Sequence, residues 1–341
     1  MGSKNVYASV KAYSRRGKLL TKSDFQMLAE SRDLEELMTR IKNTTYADAV
    51  ADVQKPYTSQ KIESALRSQL ADTHFSIAKA AGSSGVLKAY YMKFIVSNLK
   101  LILKGKVLGK PQEEIETHVN LHAEELIKQR DIIIKALVAK DLEEVVASLN
   151  SVQFGEEIAK AAALYNDKKN IQIFDTYFDK ILYQYLAGAV TDIDAAKLVA
   201  MDIDFYNILS VIRGKFWGLQ EEQIQDLIIS TNPPARELLG RMMAAATVRD
   251  AFNELTNTKY KDLIPQNENE LDAISEFERA FEMAIYQNAL RSFTKMFSFA
   301  TIVGITKLTS FEVRNLAAIA FAIEQKIPTE TTMSKLILQD E

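Results

Sequence analysis

Apolar residues recur along this chain at helical spacing. Leu99, Ile102, Leu103 and Val107 form one such set, and Leu121, Leu126, Ile132 and Ile133 continue the pattern. Positions of this kind lay an apolar stripe along one face of a helix, whereas strict alternation would mark a strand. Gly (12) and Pro (6) are scarce among the 341 residues, and long stretches of Ala, Leu, Ile, Lys, Glu and Gln run without turn chemistry. The expectation is an all-α protein. The most apolar stretches, Phe297 to Thr306 and Leu316 to Ile323, fall well short of the roughly 20 residues that a bilayer-crossing helix needs.

The helical pattern repeats. Asp33-Leu34-Glu35-Glu36-Leu37 leads into a polar connection ending Asn43-Thr44-Thr45-Tyr46; Asp141-Leu142-Glu143-Glu144-Val145 leads to Phe154; Val248-Arg249-Asp250-Ala251-Phe252 leads to Asn257-Thr258-Lys259-Tyr260. The closing aromatics are 108 and 106 residues apart. A second signature begins at Asn98 and carries Lys104-Gly105-Lys106. It returns at Asn207 with Arg213-Gly214-Lys215, and in weaker form at Asn315 with Phe321-Ala322 in place of basic-Gly. An acidic helix start follows each copy, at Glu113-Glu114, Glu221-Glu222 and Glu330. Two motifs in one order at one period predict three homologous helical bundles, over residues 1–110, 111–218 and 219–341.

Each marker has a structural reading. Gly105 and Gly214 suit a left-handed position just past a helix end, where cations offset the partial negative charge of the last turn. Asn98, Asn207 and Asn315, set in apolar sequence, suit a buried amide tying a helix to the polar connection that ends in the aromatic. Tyr46, Phe154 and Tyr260 suit core anchors. A functional reading places Lys104, Lys106, Arg213 and Lys215 where an acidic partner docks.

Charge sharpens the picture. The net charge is only -3, yet residues 1–110 hold 19 basic against 9 acidic residues, while the other two thirds are acidic. No acidic residue precedes Asp24, and Lys4, Lys11, Arg15, Arg16, Lys18 and Lys22 are all cationic. Such a segment suits an anionic surface, headgroup or nucleic acid, or a plain solvated face. The absence of cysteine excludes disulfides and thiolate sites and fits a reducing, cytoplasmic compartment. Met1-Gly2-Ser3-Lys4 opens no signal-peptide pattern.

Candidate chemistry is thin. His118, His122 and Glu125 could share a helical face and offer a metal three donors, but His-Glu-x-x-His is missing. Gly105-Lys106-Val107-Leu108-Gly109-Lys110-Pro111 has one residue too few between glycines for a phosphate loop, and Pro111 stands where a magnesium-binding hydroxyl belongs. Gly82-Ser83-Ser84-Gly85 marks a turn between helices. With three histidines and no nucleophile elbow, no catalytic set, cofactor or metal site is nominated.

Tyr7-Ala8, the basic run ending Gly17-Lys18-Leu19-Leu20, the Asn-Thr-x-Tyr turn and the paired Asn-Leu-x-x-Ile and basic-Gly-Lys helices resemble one family from about Val6 to Leu338. It is that of the C subunits of archaeal and bacterial A/V-type ATP synthases, related to the d subunit of the eukaryotic vacuolar enzyme. The resemblance implies a funnel of three helical domains about a pseudo-threefold axis. It implies a non-catalytic, peripheral protein on the cytoplasmic side, joining the D and F components of the central shaft to a membrane proteolipid ring of c/K type. The basic first third, including Arg15, Arg16 and Lys18, is expected to help seat the protein on the ring or on nearby anionic headgroups. The competing expectations are a generic helical scaffold and a nucleic-acid binder using the basic first third, although no recognisable DNA- or RNA-binding module is present.

Overall fold

The computed structural model describes residues 3–82, 84–152, 155–190 and 192–339, with side chains from residue 6. Phe154 lies outside the described residues. Those residues form α-helices and no strand, so the protein is all-α. After α1 (Ser3–Arg16), two shorter helices, a long pair and a short helix follow one another three times, with α7 (His122–Leu126) and α10 (Gly155–Lys168) as additions that have no counterpart. First come α2 (Lys22–Ala29) and α3 (Leu34–Ile41), the long α4 (Ser59–Ala80) and α5 (Gly85–Val107), and the short α6 (Gln112–His118) and α7 (His122–Leu126). Next are α8 (Arg130–Val138), α9 (Leu142–Leu149), α10 (Gly155–Lys168), α11 (Gln172–Ala189), α12 (Ile193–Phe216) and α13 (Glu221–Leu227). Last are α14 (Pro233–Ala244), α15 (Val248–Asn253), α16 (Glu270–Arg291), α17 (Phe299–Glu324) and α18 (Thr329–Lys335).

Local chemistry starts these helices. The Asp33 carboxylate accepts from the Glu36 N–H at 2.8 Å, Asp141 from Glu144 at 3.0 Å and Thr247 from Asp250 at 3.0 Å. Each satisfies a first-turn donor that the helix itself leaves unpaired; Asp33 and Asp141 open their copies of the motif, and Thr247 stands just before the third.

Six long helices close on one another. α4 packs on α5, α11 on α12 and α16 on α17 as consecutive pairs; α5 also packs on α11, α12 on α16, and α17 back on α4. The circuit therefore joins the end of the chain to its beginning. One apolar core holds Phe25, Leu37, Ile41, Tyr46 and Leu66 together with Val313, Leu316, Ile319 and Leu336. A second core gathers the connected ends of the long helices: Ile77, Leu87 and Tyr90, Leu186 and Leu198, and Ala289, Ile302 and Ile305. α1 lies over α4 and α17 with Ala8 and Ala12 fully buried.

The three asparagines do one job at the opposite ends of the long helices. Asn207 donates its amide to the Ile229 carbonyl at 3.0 Å and accepts from the Ile229 N–H at 2.9 Å. Asn315 does the same with Ile337 (2.7 and 3.1 Å), and Asn98 with Asn120 (2.8 and 3.3 Å). The partner is 22 residues downstream each time. The amide thus holds the segment beyond the short α6, α13 or α18, and not the connection ending in the repeat aromatic that the sequence pointed to. Without it two backbone groups, buried at Ile229 and Ile337 and half-buried at Asn120, would lose their partners.

The glycines differ from expectation as well. Gly105 and Gly214 lie inside α5 and α12, and the left-handed residues past these helices are Gly109 and Gly218, both at φ 66°. The bond that closes each end runs from Lys110 N–H to the Gly105 carbonyl (3.0 Å) and from Leu219 N–H to Gly214 (2.9 Å). At the end of α17 the left-handed residue is Lys326, φ 57°, with Ile327 N–H donating to Ala322 at 2.8 Å. What the interior glycines supply is room: a Cβ on Gly105 would stand 2.6 Å from Ile115 Cγ1, and one on Gly214 2.7 Å from Ile224 Cγ1. The positions matching Gly214 and Ile224 in the last copy of the signature, seven and seventeen residues past the Asn, are Ala322 and the smaller Thr332.

Gly214→Ala therefore overpacks the α12–α13 contact and costs about 1–3 kcal/mol, lowering the thermal midpoint. In an Ile224→Ala background, which lacks Cγ1 and Cδ1, Gly214→Ala costs less in a double-mutant cycle, and strictly additive midpoints would count against the close packing as the cause.

Candidate functional site

The point where α5, α12 and α17 converge carries a buried ionic cluster. The Lys307 ammonium pairs with both Asp202 carboxylate oxygens and donates to the Leu198 carbonyl at 3.3 Å. The Tyr90 hydroxyl donates to Asp202 at 2.6 Å, and the Lys307 ammonium lies 5.4 Å from the Tyr90 ring centroid. All three residues are at most 8% exposed. Burial lowers the Lys307 pKa while Asp202 holds it up; burial, then the Asp202 charge, push the Tyr90 hydroxyl well above its ordinary range. Beside it, Lys93 on α5 donates to the Ser310 hydroxyl of α17. Burial, with Arg67 and Lys307 nearby, brings the Lys93 ammonium down to about 7.

A second junction pins the N-terminal segment. The Tyr46 hydroxyl donates to Glu312 Oε1 and the Leu20 N–H to Glu312 Oε2, both at 2.6 Å. Burial raises the Glu312 pKa. Arg15 lies 5.8 Å from the Tyr46 ring centroid and Arg16 4.8 Å from that of Phe293, while the exposed Lys18 accepts at its carbonyl from the Thr45 hydroxyl. Tyr260 repeats the arrangement by donating to Asp204. Glu312 and Asp204 both stand three residues before a signature asparagine, and Ile95 holds that place before Asn98. Thr44 and Thr258 shape the two Tyr turns alike, each bonded to the carbonyl three residues back and to the N–H two residues on. Asn43 and Asn257 are exposed at these turns.

The cations of the basic-Gly-Lys signature are engaged within the chain. Lys104 pairs with Asp175 across α5 and α11, and Arg213 with Glu278 across α12 and α16 at 2.7 Å. Lys106 donates to the Leu137 carbonyl at 2.8 Å, and Lys215 to the Ala245 carbonyl. Both lysines thus meet the negative ends of neighbouring helices, α8 and α14. At the third place the Ala29 carbonyl at the end of α2 accepts from the Thr329 hydroxyl at 3.2 Å. Sequence spacing could not reveal these partners, because Asp175 and Glu278 are 71 and 65 residues away from the cations they meet.

The histidine pair does not share a helix. α6 ends at His118 and α7 starts at His122, with Asn120 turning the chain between them; His122 Nε2 instead meets Asp72 at 2.9 Å. Among the described residues no cluster of three His, Asp or Glu side chains could hold a metal ion, and no helix is long and apolar enough to cross a membrane.

The arrangement defines a class: an all-helical protein whose buried ionisable groups tie its long helices to one another. Residues 8–335 match the family described as ATP synthase (C/AC39) subunit, and the chain belongs to that family. It is similar to the C subunit of the A-type ATP synthase of Methanocaldococcus jannaschii, 26% identical over 97% of this chain and 86% of the relative. The proteins of the same name from Pyrococcus horikoshii (25%) and Desulfurococcus sp. (27%) align over 95% of this chain and 88% of their own length.

Two outcomes follow from the cluster. Lys307→Met or Asp202→Leu alone leaves an uncompensated buried group and costs about 3–5 kcal/mol, whereas the double variant costs much less; denaturant unfolding of all four proteins measures the difference. Lys93 titrates at about 7 in the folded protein against an ordinary 10.5. Between those values the unfolded chain holds a proton that the native chain has released, so this group makes stability rise with pH across the window. Lys93→Met accordingly raises the thermal midpoint most at or below about pH 7, and its advantage shrinks toward about pH 10.

Proposed function

We propose that this chain is the non-catalytic coupling component of a rotary A/V-type ATPase, carrying torque between the D and F components of the shaft and a membrane proteolipid ring. The reading rests on the family and on one observation above all, the closed circuit of six long helices with an ion pair buried at its convergence. A torque coupler needs rigidity and broad faces, and packed helices locked at a common point supply both. We take the units near residues 1–110, 111–218 and 219–341 as three related bundles about a pseudo-threefold axis. The shared core at the connected ends of the long helices, a second around Phe25 and Leu316, and a third running continuously from Ile95 to Ile285 support bundles grouped about one axis, the funnel of this reading, whose narrow end we take to be the connected ends. The protein is peripheral and acts on the cytoplasmic side.

The narrow end is the proposed seat on the ring. Ile193 (80% exposed) and Met296 (68%) flank the Asp194–Lys295 ion pair there, and the outer face of α1 shows Tyr7 and Val10. Arg16, over the Phe293 ring of the shared core, adds positive charge there, and Arg15 and Lys18 continue it beside Tyr46 and Thr45. A ring with many protomers cannot match three bundles one to one, so distributed contacts and charge fit the task.

Purification in mild detergent tests the reading: the wild-type chain brings down the D and F proteins and the ring, and its failure to do so overturns the proposal. Arg16→Glu with Lys18→Glu weakens ring attachment by about tenfold at low salt, with a smaller difference at high salt. Equal retention at both ionic strengths removes these residues from the interface.

A further inference from the structure

A cleft of about 980 Å³ opens between α4, α5 and α11, floored by Ile127 and Gln129 of the α7–α8 connection. No bond described above passes through it, and its volume falls in the range of small-molecule sites, roughly 300–1,000 Å³. Its walls are apolar: Phe75 from α4, Tyr91 and Met92 from α5, and Tyr185 from α11. Lys79 and Lys88, from the last turn of α4 and the first turn of α5, complete the lining, both exposed. No acidic residue lines the cleft, and neither lysine has a carboxylate within 4.0 Å among the described residues. A comparable apolar face of α4 and α17 is closed by α1 of the chain itself, whereas among the described residues no helix covers this one.

We infer that the cleft is a binding site for a single-chain anionic amphiphile, a long-chain carboxylate whose tail fills the apolar walls and whose head group meets Lys79 and Lys88. Each methylene taken from water contributes about 0.8 kcal/mol, so a chain of a dozen carbons has ample driving force. The two lysines select the sign of the head group, because a cationic one would face two like charges with no carboxylate between them. The inference is independent of the rotary reading.

The test is calorimetric titration of the full chain with laurate below its micellar concentration, beside dodecyltrimethylammonium. Wild type takes up one laurate saturably and binds the ammonium compound at least tenfold more weakly. Gly188→Leu fills the cleft from α11, where an added Cβ meets nothing within 4 Å. The exchange also favours helix, so it abolishes uptake without lowering the thermal midpoint. Lys79→Glu with Lys88→Glu weakens laurate at least tenfold and reverses the preference between the two head groups. No saturable uptake, uptake unchanged in both variants, or laurate displaced by an amphipathic helical peptide but not by a second fatty acid overturns the assignment.

Discussion

An ammonium group cannot stay charged in a protein interior unless a carboxylate meets it, and Lys307 meets Asp202 where three parts of the chain converge. Tyr90, Asp202 and Lys307 come from α5, α12 and α17, so the bond forms only when three long helices separated by about a hundred residues each take their final places. Such a pair adds little net stability over an apolar filling of the same shape. Its value is geometric, since every displaced arrangement strands a charge. The apolar core around it, from Leu87 to Ile305, is held by non-directional burial, whereas the ion pair fixes both a distance and a direction.

The same positions are solved with different residues around the circuit. Interior glycine opposite isoleucine occurs twice, and Ala322 stands in place of the glycine with Thr332 in place of the isoleucine. Lysine covers a helix end at Leu137 and Ala245, and a threonine hydroxyl covers the one at Ala29. The constraint thus acts on backbone placement and leaves side-chain identity free. One consequence is chemical: the faces presented around the circuit are not alike, with Lys104 and Arg213 paired across two helix junctions and Phe321, 53% exposed, at the corresponding place on the third.

Helix was legible in the sequence because period and composition agreed, and the recurrence of Asn98, Asn207 and Asn315 was visible because few residues replace a buried amide that serves a backbone donor and acceptor at once. What the amides hold was not legible, since the partner is a main-chain unit and leaves no mark in the residue types of Asn120, Ile229 and Ile337. The interior glycines were misplaced for a related reason. A glycine followed by a cation reads as a helix end, and only the approach of Ile115 and Ile224 from the next helix shows that the missing side chain makes room. The ionic cluster escaped notice because Asp202 and Lys307 resemble ordinary surface residues until the helices carrying them are brought together.

The core shared by residues 25–71 and 313–338 bears on how the protein is made. Phe25, Leu37 and Tyr46 are synthesised well before Leu316, Ile319 and Leu336, so this core is completed only when the later segment reaches it. Ile62, Leu66, Tyr91 and Phe94 give Phe25 and Leu37 a first set of apolar neighbours, and Leu316, Ile319 and Leu336 complete the set from far along the chain.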